Sequence, residues 1–393
     1  MIEPTDINRI PRDVINNHLI WKIAMWGAPR DLELINGLET GFQTLEMFMA
    51  ENQMLYAEGF IRGTKPKIEC KEFYGWPLIT TRKFTPFYTE REDQERVDFT
   101  KFYRCAQKNK VVFTAPHLIF KQSPKKGRFL SSVIEYNALF GNSFIGIHGN
   151  INLLKYTSIM LYSKVFVYYS LMTSRRWLVE RDELNVGEML SFPIPIPTEK
   201  DVAEACRLYD INCKSPKITE EMIDQFAYKI YKLKKYEIEF VEDAVSYIYD
   251  YFYVKGKSKS LSSVDEEDLK HYQEILIDIL KKSLGRSEKM ISNYYCDETP
   301  LTIVQIMFGE EALQKTNLSE KIDINDLLMD LDNLLLSERL GSVAIKRNVR
   351  VYNKNSLYII KPNQSRYWSY AAACKDADEI YAEIMSAWRE EYE

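Results

Sequence analysis

INLLKYTSIMLYSKVFVYYSLM, residues 151–172, is an apolar run in which Lys155 and Lys164 are the only charged residues. The run is long enough to raise the question of a membrane span. However, serines, lysines and tyrosine hydroxyls recur along it, and each of them needs a polar partner. A helix that is apolar around most of its circumference is typical of the interior of a sizeable domain. The run therefore predicts one long buried helix and no membrane partner.

The segment after this run is basic and aromatic, and then rich in proline. Residues 173–177 read TSRRW, and residues 192–197 read FPIPIP. Alternate prolines fix φ and remove backbone N–H donors, which predicts an extended edge segment and not a central strand. A helix followed by a proline-rich loop also occurs in α/β domains of many functions, so this order alone leaves the function open.

Positive charge is concentrated in one contiguous fifth of the chain, residues 101–181, which we call the basic tract. It holds thirteen basic and two acidic residues, a net charge of +11, whereas the rest of the chain has a net charge of −16. Such segregation within an acidic protein indicates a surface for a polyanion, and nucleic acid is the simplest candidate.

Length and composition limit the remaining possibilities. A chain of 393 residues with 46% hydrophobic residues is expected to form two or three packed domains. The six cysteines have no metal-ligand spacing and there are only four histidines, so we predict reduced thiols and no metal site in a cytoplasmic protein. The first residues, MIEPTD, have neither a basic flank nor an apolar stretch, which predicts no signal peptide.

Hydrophobic periodicity and turn residues predict a mixture of helices and strands. The expected helices cover residues 18–26, 31–41, 44–49, 151–172, 199–209, 219–230, 239–253, 263–284, 326–340 and 376–391. The expected strands cover residues 111–113, 117–120, 131–136, 143–148, 290–296, 301–308, 344–351 and 357–360. Residues 256–260, GKSKS, form a hydrophilic linker at which we expect a domain boundary and the first protease cut.

No convincing active site is found in the sequence. There is no Pro-Pro dipeptide and no Gly-x-Gly, which removes the usual elements of amino-group methyltransferases and nucleotide-binding loops. Two carboxylate-x-Lys steps, at Glu69 and Asp268, are expected by chance in a chain this charged. His117 and His148 flank apolar strands, and we interpret them as satisfied core or surface histidines.

Four segments taken together resemble a known family. They are residues 21–31, residues 115–121, residues 162–195 and residues 358–380. In this order they are similar to the C-terminal target-recognition part of type IIG (IIS-type) restriction–modification enzymes and related adenine-specific DNA methyltransferases. The third segment also resembles the recognition domains of type I specificity subunits. The resemblance covers most of the chain through degenerate motifs.

The resemblance implies that this chain recognises double-stranded DNA for catalytic domains that precede it or lie on another subunit. Adenine-N6 methylation with S-adenosylmethionine, and DNA cleavage with Mg, would then be activities of the whole assembly, which is bacterial. No cofactor is expected in this chain, and no catalytic residue is assigned to it. Alone, it is predicted neither to methylate nor to cut DNA. It would be either a recognition fragment or a separate specificity chain.

The expected fold class is α+β, with four parts. Residues 1–58 form a helical segment that leads into a mixed α/β target-recognition domain at residues 59–197, which contains the long buried helix. Residues 198–260 form a helical connector, and residues 261–393 form a small C-terminal α+β domain.

Nine residues are the candidate DNA-binding set. They are Lys121, Lys125, Lys126, Arg128, Lys155, Arg175, Arg176, Trp177 and Arg181. The cations would hold phosphates and set the register on the duplex. The three arginines at 128, 175 and 176 are the candidates for bidentate contact to guanine. Trp177 would pack on a sugar or support the neighbouring arginines, while the partner domain extrudes the target adenine.

A second interpretation gives the chain no direct role on DNA. Its tyrosine-rich helices and acidic last third would then bind other subunits, as a protein-interaction scaffold in a DNA-modifying or phage-defence complex. An RNA-binding protein is a weaker third interpretation, because no RNP-like aromatic strand motif occurs.

Overall fold

The computed structural model describes residues 10, 12–106, 109–215, 219–284, 290–296, 300–308, 329, 348–353 and 356–392. The chain divides between Val245 and Ser246 into two compact units. We call them the N-terminal unit, Pro11–Val245, and the C-terminal unit, Ser246–Glu393, with which Ile10 is also grouped. Both contain helices and antiparallel strands, which confirms the predicted α+β class. None of the described helices is both long and apolar enough to cross a membrane.

The N-terminal unit contains helices from its start to its end. They are α1 (His18–Trp26), α2 (Pro29–Gly41), α3 (Leu45–Glu51), α4 (Ile151–Tyr162), α5 (Lys164–Thr173), α6 (Val186–Leu190), α7 (Glu199–Lys214), α8 (Glu220–Tyr231) and α9 (Lys235–Asp243). Several begin at the side-chain caps that local sequence favours: the Asn17 side chain accepts from Leu19 N at the start of α1, and the Thr44 side chain accepts from Met47 N at the start of α3.

The strands of this unit are short. They are β1 (Gln43–Thr44), β2 (Leu55–Glu58), β3 (Ile68–Glu69), β4 (Pro77–Ile79), β5 (Glu95–Arg96), β6 (Lys101–Phe102), β7 (His117–Lys121), β8 (Ser131–Ile134), β9 (Leu139–Phe140), β10 (Phe144–His148) and β11 (Pro193–Ile194). The main sheet has the antiparallel order β2-β10-β7-β8 and packs against α4. The proline ladder contributes only the two-residue β11, which pairs with β1, as expected of an edge segment.

The apolar run is buried as predicted, but the prediction of one long helix is wrong. It forms two helices, α4 and α5, separated at Ser163, whose backbone is extended (φ −66°, ψ 155°). The Ser163 side chain accepts a hydrogen bond from Phe166 N and so begins α5, which lets the chain turn without leaving the core. Both helices are almost entirely buried, with Tyr156 and Tyr168 fully so.

Residues 111–113 were expected to form a strand and instead lie in a 3₁₀ turn, Lys110–Phe113. The β-branched and aromatic side chains are satisfied by burial, since Val112 and Phe113 are both fully buried. β-branched and aromatic side chains favour strands largely because strands bury them, and here a 3₁₀ turn buries them instead.

The C-terminal unit is a four-stranded antiparallel sheet packed against two helices. After a π-helical segment, Ala244–Tyr249, that spans the division between the units, its elements are α10 (Asp250–Val254), α11 (Glu266–Leu284), β12 (Met290–Cys296), β13 (Leu301–Phe308), β14 (Val349–Asn353), β15 (Ser356–Pro362) and α12 (Tyr370–Tyr392). The strand order is β12-β13-β15-β14. The expected helix at residues 326–340, apart from residue 329, and the first part of the strand expected at 344–351 lie outside the described residues.

A buried carboxylate ties the elements of this unit together. Asp376 on α12 accepts hydrogen bonds from Tyr272 on α11 (2.6 Å), from Lys361 on β15 and from Arg350 on β14 (3.0 Å). Tyr272, Lys361 and Asp376 are all under 5% exposed. Such a group stays charged inside a protein only because its partners are charged and close.

Residues 256–260 belong to the C-terminal unit and are hydrogen-bonded. Ser258 Oγ donates to Asp250, Lys259 N donates to the same carboxylate at 3.0 Å, and Ser260 Oγ donates to Tyr247 O at 2.9 Å. The division between compact units lies about ten residues earlier, between Val245 and Ser246. The proteolytic behaviour of this segment stays a prediction.

Candidate nucleic-acid interface

The fold neutralises much of the basic tract. Among the residues that the structure describes, six of the thirteen cations of the tract form ion pairs with acidic residues outside it. The pairs are Arg104–Glu58 (2.6 Å), Lys110–Glu72 (2.9 Å), Arg128–Asp224 (2.6 Å), Lys155–Asp210 (2.7 Å), Lys164–Glu242 and Arg181–Glu183 (3.5 Å). In the folded protein, acidic residues from outside the tract thus neutralise part of its positive charge. The exposed positive surface is therefore smaller than the tract.

Arg128 was a candidate for guanine contact, and the structure places it in the interior. It is 4% exposed, its two Nη atoms donate to the two oxygens of Asp224 at 2.6 Å each, and Nη1 also donates to Tyr162 O at 3.1 Å. The bidentate geometry that would read a guanine is already used within the protein. We therefore withdraw Arg128 from the DNA-binding set.

Lys155 is also paired with an acidic residue of the protein. It lies on α4 with its side chain 16% exposed, and it donates to Asp210 on α7 at 2.7 Å. Its ammonium lies 5.6 Å from the centre of the Tyr209 ring. Lys155 joins two helices. Arg181 differs, because its side chain is 54% exposed and its contact with Glu183 is long, so Arg181 keeps a place in the set.

Trp177 is fully buried, which excludes the expected packing on a sugar. Its ring makes an edge contact with Phe129, with 5.1 Å between ring centres. Its backbone N–H donates to Ser174 Oγ at 3.0 Å, and its carbonyl accepts from Lys22. Trp177 therefore anchors the turn that carries Arg175 and Arg176 to the interior of the protein.

We call residues 174–177 the arginine turn. An acidic residue that was not identified from the sequence fixes the backbone of this turn. Glu188 Oε1 accepts from Ser174 Oγ (2.9 Å) and from Arg175 N (2.8 Å), while Glu188 Oε2 accepts from Asn185 N (3.0 Å). The backbone of the turn is fixed by these bonds, and the side chains of Arg175 and Arg176 are exposed. Asn185-x-x-Glu188 is a capping box and was detectable in the sequence.

The second basic turn, residues 125–128, lies between β7 and β8, and we call it the lysine turn. Lys125 N donates to Arg128 O at 2.8 Å, and Arg128 N donates to Lys125 O at 3.2 Å. The two central residues, Lys126 (φ +52°) and Gly127 (φ +78°), have the left-handed backbone of a tight hairpin turn. Lys125 and Lys126 are both exposed. Burial and the charge of Lys125 lower the pKa of Lys121, which is half-buried at the base of the turn.

Contacts in the interior make the two turns neighbours. Phe129, directly after the lysine turn, packs on Trp177 of the arginine turn and, at 5.1 Å, on Phe166 of α5. Leu184 N donates to Gln122 O at 3.0 Å, which joins the segment after the first turn to the residue that follows β7. We call the five cations Lys121, Lys125, Lys126, Arg175 and Arg176 the cationic surface. None of them forms an ion pair with another described residue.

Helix α1 lies against the arginine turn. His18 Nε2 is 3.1 Å from Thr173 O, and Lys22 donates to Trp177 O, so the helix spans the turn on one side. Burial lowers the pKa of Lys22 to about 8, and the charge of Glu188 partly offsets this. Trp21 and Met25, on the His18 side of the helix by their spacing, are 47% and 58% exposed. An apolar stripe therefore lies beside the cationic surface.

Both ring nitrogens of His117 lie close to backbone carbonyl oxygens. His117 is fully buried, with Nδ1 2.6 Å from Val112 O and Nε2 3.2 Å from Tyr136 O, which confirms the prediction of a core histidine. Burial lowers its pKa to about 4. Within the part of the chain that the structure describes, no three His, Cys, Asp or Glu side chains converge to hold a metal ion.

Comparison with known proteins adds no further evidence. No family model matches the chain, and no curated protein matches it. The case for a function therefore depends on the contacts and charges described above.

Proposed function

We propose that this chain is a sequence-specific double-stranded DNA-recognition module of a restriction–modification system. The observation that carries the proposal is the pair of adjacent basic turns, each fixed from within the protein, with the cations of the cationic surface left without an acidic partner among the described residues. Fixed backbones and exposed cationic heads are what recognition of a rigid polyanion requires, since little freedom is lost on binding.

The cations of this surface would divide the work between phosphates and bases. Lysines act as point charges, so Lys125 and Lys126 suit phosphate oxygens and would set the register on the duplex. The planar fork of an arginine suits guanine O6 and N7, so Arg175 or Arg176 would read one base pair. The lowered pKa of Lys121, caused by burial and by Lys125, indicates a place where a nearby anion would be stabilising.

Catalysis would belong to the partner. The resemblance in four segments supports a methyltransferase and an endonuclease, elsewhere in a longer protein or on another subunit, that use S-adenosylmethionine and Mg. This chain would hold the duplex while the partner extrudes the target adenine and methylates its N6, and it would direct cleavage by the same assembly.

The test is binding of the purified chain to duplex DNA at several salt concentrations, followed by fluorescence anisotropy. A pool of randomised duplexes first reports whether a sequence is enriched. Lys125→Ala/Lys126→Ala should lower the slope of log affinity against log salt by about 2. Lys232→Ala/Lys235→Ala, which removes the same charge from exposed lysines between α8 and α9, should leave the slope unchanged. A parent chain that binds no duplex, or that enriches no sequence, would refute the proposal.

One observation favours the scaffold interpretation. Trp21, Met25 and Val179 (55% exposed) are large apolar side chains close to the arginine turn, and Trp, Met and Arg are enriched where proteins bind one another. Trp21→Ala/Met25→Ala separates the two roles. If Trp21 and Met25 bind a protein partner, this variant keeps the affinity of the parent for duplex DNA. It loses only the additional affinity that the partner provides. A scaffold without DNA binding would give no salt-dependent affinity for any duplex in parent or variant.

A further inference from the structure

We propose that the loop at residues 62–67, with the ribbon formed by β3 and β6, is a second contact with the phosphate backbone of the same duplex. This inference rests on the proposed function and adds to it a surface mostly outside the basic tract. The loop reads RGTKPK, and it precedes β3 directly. We call residues 62–67 the RGTKPK loop.

Charge in and around this loop is exposed and mostly uncompensated. Residues 62–69 are exposed without interruption, and they include Arg62, Lys65 and Lys67 against a single acid, Glu69. Lys101 lies opposite Glu69 in the ribbon and is also exposed. The three cations of the loop form no ion pair with another described residue. Three adjacent unpaired cations attract phosphate most strongly when their positions are fixed.

Two aromatic rings fix the ends of the loop. The guanidinium of Arg62 lies 4.5 Å from the centre of the Phe99 ring, and the ammonium of Lys67 lies 4.6 Å from the centre of the Tyr103 ring. A cation over an aromatic face keeps its charge and loses part of its freedom. The loop is thus held at both ends in a conformation that leaves the cationic heads open to solvent.

Glycine is needed where the loop begins. Gly63 has φ +65°, and a Cβ at this position would lie 2.6 Å from the Cβ of Tyr103. Only glycine allows the backbone to lie this close to the ring that holds Lys67. The loop is therefore built against the ribbon, and its shape does not depend on a ligand.

The ribbon is buried at Phe102 and, directly after β3, at Cys70. Lys101, Tyr103 and Glu69 are exposed, and so is Ile68, the strand partner of Phe102. Lys67 N donates to Phe102 O, and Cys70 N donates to Thr100 O, both at 2.8 Å, which extends the pairing beyond the two-residue strands. A two-stranded ribbon is narrow enough to follow a DNA groove, with cations on its outer face toward the phosphates.

The neighbouring cations of the basic tract do not compete for this role. Arg104 is paired with Glu58 at 2.6 Å, and Lys110 is paired with Glu72 at 2.9 Å. Among the described residues, the unpaired exposed cations here are those of the loop together with Lys71 and Lys101. Counting charge along the sequence gives the opposite assignment, because it includes Arg104 and Lys110 and omits the loop.

The experiment compares two triple variants of the full chain. Arg62→Ala/Lys65→Ala/Lys67→Ala removes the cations of the loop, and Lys232→Ala/Lys234→Ala/Lys235→Ala removes the same charge elsewhere in the N-terminal unit. The control is matched in kind, since the Lys234 ammonium also lies over a ring, 5.5 Å from the centre of Tyr236. The loop variant should lower the salt slope of duplex binding by about 3 and leave the sequence preference unchanged, while the control keeps the parental slope.

The outcomes separate this inference from the proposed function. If the parent binds duplex and the loop variant matches the control, the inference is wrong and the proposed function stands. If the parent binds no duplex, both fall together. A loop variant that changes sequence preference without changing the slope also overturns a backbone contact. Tyr103→Leu keeps every charge and frees Lys67, so it should weaken binding at an unchanged slope, provided that circular dichroism shows the parental fold.

Discussion

Arg128 and Asp224 face each other inside the N-terminal unit, with two hydrogen bonds of 2.6 Å between guanidinium and carboxylate. Arg128 ends the lysine turn and Asp224 lies on α8. The carboxylate also accepts from Lys164 N at 2.9 Å, at the start of α5. One ion pair therefore joins the sheet, the buried helices and the connector, and it fixes the base of the lysine turn.

Replacing Arg128 should reduce stability and not specificity. Arg128→Met leaves the Asp224 carboxylate buried without its cation, and we expect the free energy of unfolding of the N-terminal unit to fall by about 3–5 kcal/mol. Arg181→Met, at an exposed pair, should cost at most about 1 kcal/mol. Urea unfolding followed by tryptophan fluorescence measures both. An Arg128→Met chain of parental stability that no longer prefers one base pair would return Arg128 to the DNA-binding set.

The two exposed arginines should differ in what they contact. Adjacent residues point in different directions, so one of Arg175 and Arg176 can face a base edge while the other meets phosphate. The base-reading arginine should contribute about 1–3 kcal/mol of discrimination at one base pair, and the other should lower the salt slope by about 1. Binding of cognate and single-mismatch duplexes to Arg175→Ala and Arg176→Ala tests this. Two folded variants that bind every duplex as the parent does would make the turn purely structural.

His117 should make the N-terminal unit sensitive to acid. Burial lowers its pKa to about 4, whereas in the unfolded chain it is near 6.5. Between these values the unfolded chain binds a proton that the folded chain does not. The stability is therefore complete above about pH 6.5 and falls toward pH 4, by up to about 3 kcal/mol.

His117→Gln should remove this part of the pH dependence, and His18→Gln, at an exposed histidine, should keep it. The measurement is the free energy of unfolding at pH 7.5, 6 and 5 for the parent and both variants. Parallel curves for the parent and His117→Gln would show that the histidine does not cause the loss.

Residues 256–260 should resist protease for as long as Asp250 holds them. The carboxylate accepts from Ser258 Oγ and from Lys259 N, and each such bond contributes about 0.5–1.5 kcal/mol. Asp250→Ala should therefore speed tryptic cleavage after Lys257 or Lys259 by roughly tenfold, if cleavage follows local opening. Asp278→Ala, at an exposed pair on α11, is the control. Rapid cleavage of the parent at this segment would instead support the hydrophilic linker, cut first by protease, that the sequence predicts.

Local signals in the sequence located most elements. Asn17 and Thr44 cap α1 and α3, which begin within one residue of the predicted positions, and the strands predicted at residues 290–296 and 301–308 have those bounds in the structure. Caps and alternation act over a few residues, so they are readable without the fold. Ser163 was missed because a serine inside an apolar run has the same local pattern whether it ends a helix or lies within one.

The candidate site was predictable only in part. The sequence located the arginine turn, and its exposed pair Arg175 and Arg176 matches the expected set. It did not reveal that Arg128 is buried, because its partner Asp224 is 96 positions away. Local charge counting assigns a cation to the surface by default, and only the tertiary structure shows which acid reaches it.

The Arg128–Asp224 ion pair can form only late in the synthesis of the N-terminal unit. The ribosome makes Arg128 first and must add 96 residues before Asp224 exists. At roughly 5–20 residues per second, this takes about 5–20 s. After Arg181 is made and before Asp210 is added, the nascent chain carries the whole basic tract while Asp210, Asp224 and Glu242 are still unmade. The growing polypeptide is therefore most cationic while it is close to ribosomal RNA, and its N-terminal unit completes its core only when α8 emerges.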